Sequence, residues 1–169
     1  MPIRKPTRLK YYDYSNSGYY FVTICTHNKH KILCEIVGEG LDPAKIQLSL
    51  FGKIAEHELL NIEKHYTNIK IDKYVIMPNH IHLILIITER INPFPTIRYD
   101  VSNVIGKYKA AVTRNVGNAF MHSERLKIWQ TSFHDHIIRD EKDYLKIWNY
   151  IDTNPQKWEE DCFFIADEN

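Results

Sequence analysis

The stretch from Tyr74 to Ile87 reads Tyr-Val-Ile-Met-Pro-Asn-His-Ile-His-Leu-Ile-Leu-Ile-Ile. Two apolar runs are separated by one Pro-Asn pair. Proline lacks an N–H and fixes φ, so it is poor in mid-strand and suits a tight connection. The pattern predicts two adjacent strands, Ile69 to Met77 and His80 to Thr88, joined at Pro78-Asn79. Side chains alternate along a strand. His80, His82, Ile84 and Ile86 share one face; Ile81, Leu83, Leu85 and Ile87 share the other. A strand this apolar is normally buried on both sides. The two imidazoles at its start therefore need partners, and a metal ion is one. Neighbouring polar groups or an exposed strand end are the alternatives that the pair alone leaves open.

The remaining chain is long enough, at 169 residues, for one domain with a real core. It shows no internal repeat, low-complexity segment or linker, so we expect a single domain over 1–169. Residues 1–17 read as a basic arm and 159–169 as an acidic tail. No apolar run approaches the ~20 residues of a membrane span. The start of the chain lacks a signal peptide's hydrophobic region, which predicts a cytoplasmic protein with no membrane partner. The three cysteines, Cys25, Cys34 and Cys162, lack close metal-type spacing and read as reduced thiols.

The formal net charge of +1 hides a segregation. Arg4, Lys5, Arg8 and Lys10 crowd the start without an acid, and Lys107, Lys109 and Arg114 recur in another acid-free stretch. Basic segments on a near-neutral chain suit a localised polyanion site; solvated faces explain the same charges.

Tyr19 to Thr26 is aromatic and β-branched and predicts the first strand. Ile32 to Val37 and Ile46 to Leu48 suggest a short ribbon. Ser49 caps a helix to about Tyr66, with Phe51, Ile54, Ala55, Leu59 and Ile62 as its buried stripe. Val101 to about Asn118 forms a second helix, the segment ending at Arg139 a fourth strand, and Glu141 to Thr153 a third helix stopped by Pro155. The order β-α-β-β-α-β-α predicts an α+β fold, a ferredoxin-like antiparallel sheet with helices on one face.

In the last helix Tyr144, Ile147, Trp148 and Ile151 form the stripe that packs on the sheet. Tyr150 and Asn154, four apart, project together beside it, with Asp143 pointing roughly the same way.

The block Tyr74 to Leu83 resembles the metal-binding motif of the HUH single-tyrosine nucleases, in which two histidines flank one hydrophobic residue. The wider chain resembles one branch of them, the REP-associated tyrosine transposases, relatives of the small insertion-sequence transposases. The matching stretches are Arg8-Leu9, Tyr12 to Ser15, Gly18 to Thr26, the His80/His82 block, Lys107 to Arg114, Trp129-Gln130, Phe133 to Arg139, Tyr150 to Pro155 and Trp158. They run in order over nearly the whole chain.

The resemblance implies His80 and His82 as metal ligands and Tyr150 as the nucleophile, with Asn154 in the place of a residue that can complete the metal site. It implies a metal-dependent nuclease and strand transferase, HUH-type, that attacks single-stranded DNA beside hairpins and forms a 5′-phosphotyrosine. Imidazole with a carboxamide oxygen suits Mg²⁺ or Mn²⁺, the latter well. The Tyr hydroxyl, with an ordinary pKa of about 10, needs a metal or base to lose its proton. Arg4, Lys5, Arg8, Lys10, Lys107, Lys109 and Arg114 are the candidate DNA-binding residues. Monomer and homodimer are both open, and any nucleoid association follows from DNA binding alone.

Rival readings exist. His134-Asp135-His136 is a second His-x-His. Tyr108 and Tyr144 are rival nucleophiles, but both lie on apolar stripes. A histidine-triad nucleotide hydrolase wants a third His where Ile84 stands. A hairpin-DNA-binding protein without catalysis would not need His80, His82 and Tyr150 together.

Overall fold

The computed structural model describes residues 12–38, 45–89, 99–120 and 127–166. Arg4, Lys5, Arg8 and Lys10 lie outside them. β1 (Gly18–Cys25) is followed by a ribbon of β2 (Cys34–Val37) and β3 (Lys45–Leu48), then α1 (Leu50–His65), β4 (Ile69–Met77), β5 (His80–Ile87), α2 (Val101–Phe120), β6 (His134–Ile138) and α3 (Glu141–Thr153). Pro78 and Asn79 form a two-residue hairpin that pairs Met77 with His80.

The main sheet is antiparallel throughout, in the order β4-β5-β1-β6. Setting the ribbon aside, this is the ferredoxin-like arrangement of two interleaved β-α-β halves, β1-α1-β4 and β5-α2-β6. The expected α+β class is therefore observed. One detail differs. α1 and α2 cover one face, but α3 covers the other.

The reason lies in the strands. Tyr20, Val22 and Ile24 of β1, with Ile81, Leu83, Leu85 and Ile87 of β5, pack against Ala55, Leu59 and Ile62 of α1 and Val104, Ile105, Tyr108 and Val112 of α2. The opposite face also carries apolar groups: Val75, Met77, Ile84 and Ile138. An apolar sheet face must be buried, and Ile147 and Ile151 of α3 with Trp158 bury it. No helix among the described residues is long and apolar enough to cross a membrane.

Local chemistry sets the helix ends. Ser49 accepts a hydrogen bond from the Gly52 amide and donates to the Ile32 carbonyl, so α1 starts against the segment leading into β2. Gly52 allows that approach: a Cβ there would sit 2.0 Å from the Leu33 carbonyl oxygen. Asp140 caps α3 through the Asp143 amide at 2.8 Å, and Glu141 and Asp143 lie in the first turn, favourable beside the positive helix end.

A candidate metal and tyrosine site

Register places the histidines. His82 sits opposite Thr23 on β1 and Val75 on β4; His80 sits opposite Cys25 and Met77. Both rings face the α3 layer, fully buried, with centroids 4.3 Å apart. His80 Nδ1 donates to Asn79 Oδ1 at 2.9 Å, and the same amide donates through Nδ2 to the Phe163 carbonyl at 2.8 Å. His82 Nδ1 lies 2.8 Å from Thr23 Oγ1. Each imidazole is thus oriented through Nδ1, leaving Nε2 for the interior, as metal-ligating histidines commonly are. His80 Nε2 is buried with no hydrogen-bond partner among the described residues.

The other half comes from α3 and the turn after it. Ile147 and Ile151 seat the helix on the sheet, which holds Tyr150 over His82. The Tyr150 hydroxyl is 3.2 Å from His82 Nε2 and donates to Asp161 Oδ2 at 2.9 Å. Pro155 ends the helix, and a 3-10 segment, Pro155–Glu160, is anchored by buried Trp158. That segment returns Asp161 to the site. Asn154 Nδ2 donates to Asp161 Oδ2 at 2.6 Å, and the Phe163 amide donates to Oδ1 at 2.7 Å.

Ligand atoms of His80, His82 and Asp161 lie within 4.8 Å of one another, so this buried triad could hold a metal ion. Two nitrogens and an anionic oxygen suit a divalent first-row ion, and the unpartnered His80 Nε2 fits such a group. Asn154 Oδ1 is a second buried acceptor without a partner among the described residues. Beside Tyr150 an open cavity of about 320 Å³ is lined in part by Asn154, Asp161, Lys146 and Lys157.

Burial dominates the electrostatics. It pushes the His80 imidazole down to about 3, aided by nearby Lys29. It holds His82 well below its ordinary value, with His80 adding to the effect and Asp161 opposing it. Both rings are therefore neutral at neutral pH, the form that ligates. Burial and then the hydrogen bond to Asp161 raise Tyr150 above the ordinary phenol range, so it rests protonated.

The expected residues separate into groups. His80, His82, Tyr150 and Asn154 come together, but Asn154 acts here as a donor to Asp161. Asp161 was missed because it reads as part of an acidic tail; Trp158, a large apolar residue just ahead of it, was the available sign that this segment is folded. Asp143 is not at the cluster: it pairs with His136 Nε2 at 2.7 Å. Tyr108 is buried and bonds the Ala55 carbonyl, and Tyr144 bonds Asp72. Lys109 donates to the carbonyls of Gln130, Thr131 and Ser132, so it organises a loop and is withdrawn from the surface set. Lys107 and Arg114 border a cavity of about 400 Å³ between α1 and α2, on the face of the sheet opposite the histidines.

No family model matches the chain. An uncharacterized protein of Haemophilus influenzae is 34% identical, covering 96% of this chain and 93% of that protein. The REP-associated tyrosine transposase of Escherichia coli K12 is 25% identical over 145 residues, 85% of this chain and 70% of that protein. Among solved structures, a REP-associated tyrosine transposase bound to a REP hairpin superposes with a TM-score of 0.59 at 22% identity, covering 89% of this chain and 74% of its own. A Deinococcus radiodurans chain, provisionally assigned as a transposase, gives 0.50 at 17%, covering 86% and 95%. The two superpositions speak for the fold, and the ordered sequence motifs speak for the branch. In sequence and in fold the chain is similar to the REP-associated tyrosine transposases, the branch that its ordered motifs resemble.

Proposed function

We propose that the chain is a metal-dependent endonuclease and strand transferase that cuts single-stranded DNA beside hairpins through a 5′-phosphotyrosine at Tyr150. One observation carries the reading: the Tyr150 hydroxyl stands 3.2 Å from His82 Nε2 and 2.9 Å from Asp161. A phenol on a neutral histidine pair and a buried carboxylate is a poor core arrangement and a good reaction centre.

His80 and His82, through Nε2, and Asp161 would hold a divalent ion, with Mg²⁺ and Mn²⁺ both admitted by the donor set. Such an ion supplies charge neutralisation and orientation of a non-bridging phosphate oxygen. Tyr150 gives its proton to Asp161, whose Oδ2 already accepts that hydrogen bond. The phenolic oxygen then attacks phosphorus. A Tyr–phosphorus bond forms, the bond from phosphorus to the 3′ oxygen breaks, and that oxygen leaves as a hydroxyl on taking up a proton. The ester conserves the bond for rejoining. Asn154 holds Asp161 in place. Lys107 and Arg114, with Arg4, Lys5, Arg8 and Lys10 of the arm, serve phosphate contacts away from the reacting atoms. The REP hairpin bound to the solved relative supports a hairpin as the duplex part of the substrate.

The test is a covalent-adduct assay on 5′- and 3′-labelled hairpin oligonucleotides from the gene's own flanks, with Mn²⁺ or EDTA. A denaturant-resistant band that needs metal, carries the 3′-labelled fragment and vanishes in Tyr150→Phe is expected. Binding without an adduct under every condition would leave a DNA-binding protein that no longer cuts.

A further inference from the structure

The turn after β1 is built at odds with its sequence. His30 N donates to the His27 carbonyl at 3.2 Å, closing a four-residue turn whose central residues, Asn28 and Lys29, have φ of 51° and 54°. Turns with positive φ at both central positions favour Asn-Gly. Asn tolerates the left-handed region; lysine at the glycine position is uncommon and strained. Strain of this kind is retained where the side chain has work to do.

The position of Lys29 shows what that work is. Its ammonium lies 5.4 Å from the Phe163 ring centroid and reaches the Cys162 carbonyl at 3.5 Å. Phe163 in turn stacks on His80 at 4.6 Å. The turn is also fastened to the histidine hairpin. Thr26 Oγ1 donates to the carbonyls of His30 and Asn79, and the Thr26 amide donates to Asn79 as well. Lys29 therefore keeps a fixed place beside the candidate reaction centre. Lys31 follows, over the Phe164 ring at 5.4 Å, and no acidic residue occurs from His27 to Leu33. Among the described residues Lys29 has no ion-pair partner.

We infer that the His27–Lys31 turn is a backbone-phosphate clamp for the single strand, with Lys29 the principal contact next to the reacting phosphate. The inference deepens the DNA-cutting reading and rests on it. A cation held by a strained turn a ring's width from the histidines complements a polyanion entering that site.

The experiment measures binding of a fluorescent single-stranded hairpin oligonucleotide by anisotropy in EDTA across a salt series, using the whole chain. Lys29→Gly relaxes the backbone, so its thermal midpoint should match or exceed the parent's. Its affinity should fall about fivefold, and the slope of log affinity against log salt should shrink by about 0.7, the value for one phosphate contact on a single strand. Lys29→Arg should retain most of the affinity. Lys70→Gln, an exposed charge loss at the far end of β4, should change it less than twofold. Equal affinity and slope in Lys29→Gly and the parent would overturn the clamp alone. A parent that binds no single-stranded DNA would overturn the DNA reading and the clamp with it.

Discussion

The two faces of the main sheet are made from the same strands; one is apolar across its core and the other mixes apolar with polar groups. Toward α1 and α2, β1 and β5 present Tyr20, Val22, Ile24, Ile81, Leu83, Leu85 and Ile87, an apolar surface typical of a core. Toward α3 the same strands present Phe21, Thr23, Cys25, His80, His82 and Ile84. The first face binds the fold together. The second buries polar groups that contribute less to stability and sets them next to a phenol and a carboxylate. Leu83 and His82 are adjacent in sequence and belong to different problems.

That contrast can be broken by substitution. Tyr150→Phe should abolish the covalent adduct while shifting unfolding free energy by only about 1 kcal/mol, the worth of one hydrogen bond. Leu83→Ala should do the reverse. A chemical-denaturation curve should lose about 2–5 kcal/mol, with adduct yield per folded molecule retained. If Leu83→Ala spared stability, or Tyr150→Phe removed as much of it, the division of labour between the faces would be wrong.

Two smaller effects sharpen it. Asp161→Ala should weaken Mn²⁺ binding, measured by calorimetry, by more than about tenfold, and by more than Asn154→Ala does, since Asn154 acts as an outer partner. The opposite ranking would return the ligand role to Asn154. The last effect is of pH. Folded His80 stays neutral down to about 3, whereas the unfolded chain takes up a proton near the ordinary 6.5. The unfolded state thus binds more protons between these values, so stability is complete above about 6.5 and declines as the pH falls toward 3. Metal-free urea titrations should show a loss of about 2 kcal/mol between about pH 7 and pH 5 from His80. The decline should shrink in His80→Gln. The α1/α2 face has no histidine in its core and should contribute none of it.

Much of this was legible in the chain. β4 and α3 begin and end where the sequence puts them, because an apolar run stopped at Pro78 and an apolar stripe stopped at Pro155 leave few alternatives. The histidine pair stood out for a related reason, since polar groups on an otherwise apolar strand break a pattern; Tyr150 stood out only through the resemblance of the wider chain. Three features had no such sign. Asp161 sits among other acids, so composition argued for solvent, and only the docking of Trp158 brings it inside. The placement of α3 depends on which sheet face is left uncovered, a property of pairing and not of local sequence. Lys29 lies in a turn whose backbone contradicts its own preference, and strain is invisible to patterns built from preferences.

The dispersal of the site along the chain has a consequence during synthesis. Thr23, His82, Tyr150 and Asp161 meet only when residues far apart in sequence are in place. A growing chain that has emerged as far as β6 already holds all four strands of the main sheet and both helices of the apolar face. It has neither Tyr150 nor Asp161. The strands and helices of the larger core are translated first, and Tyr150 and Asp161, which complete the candidate site, are added last.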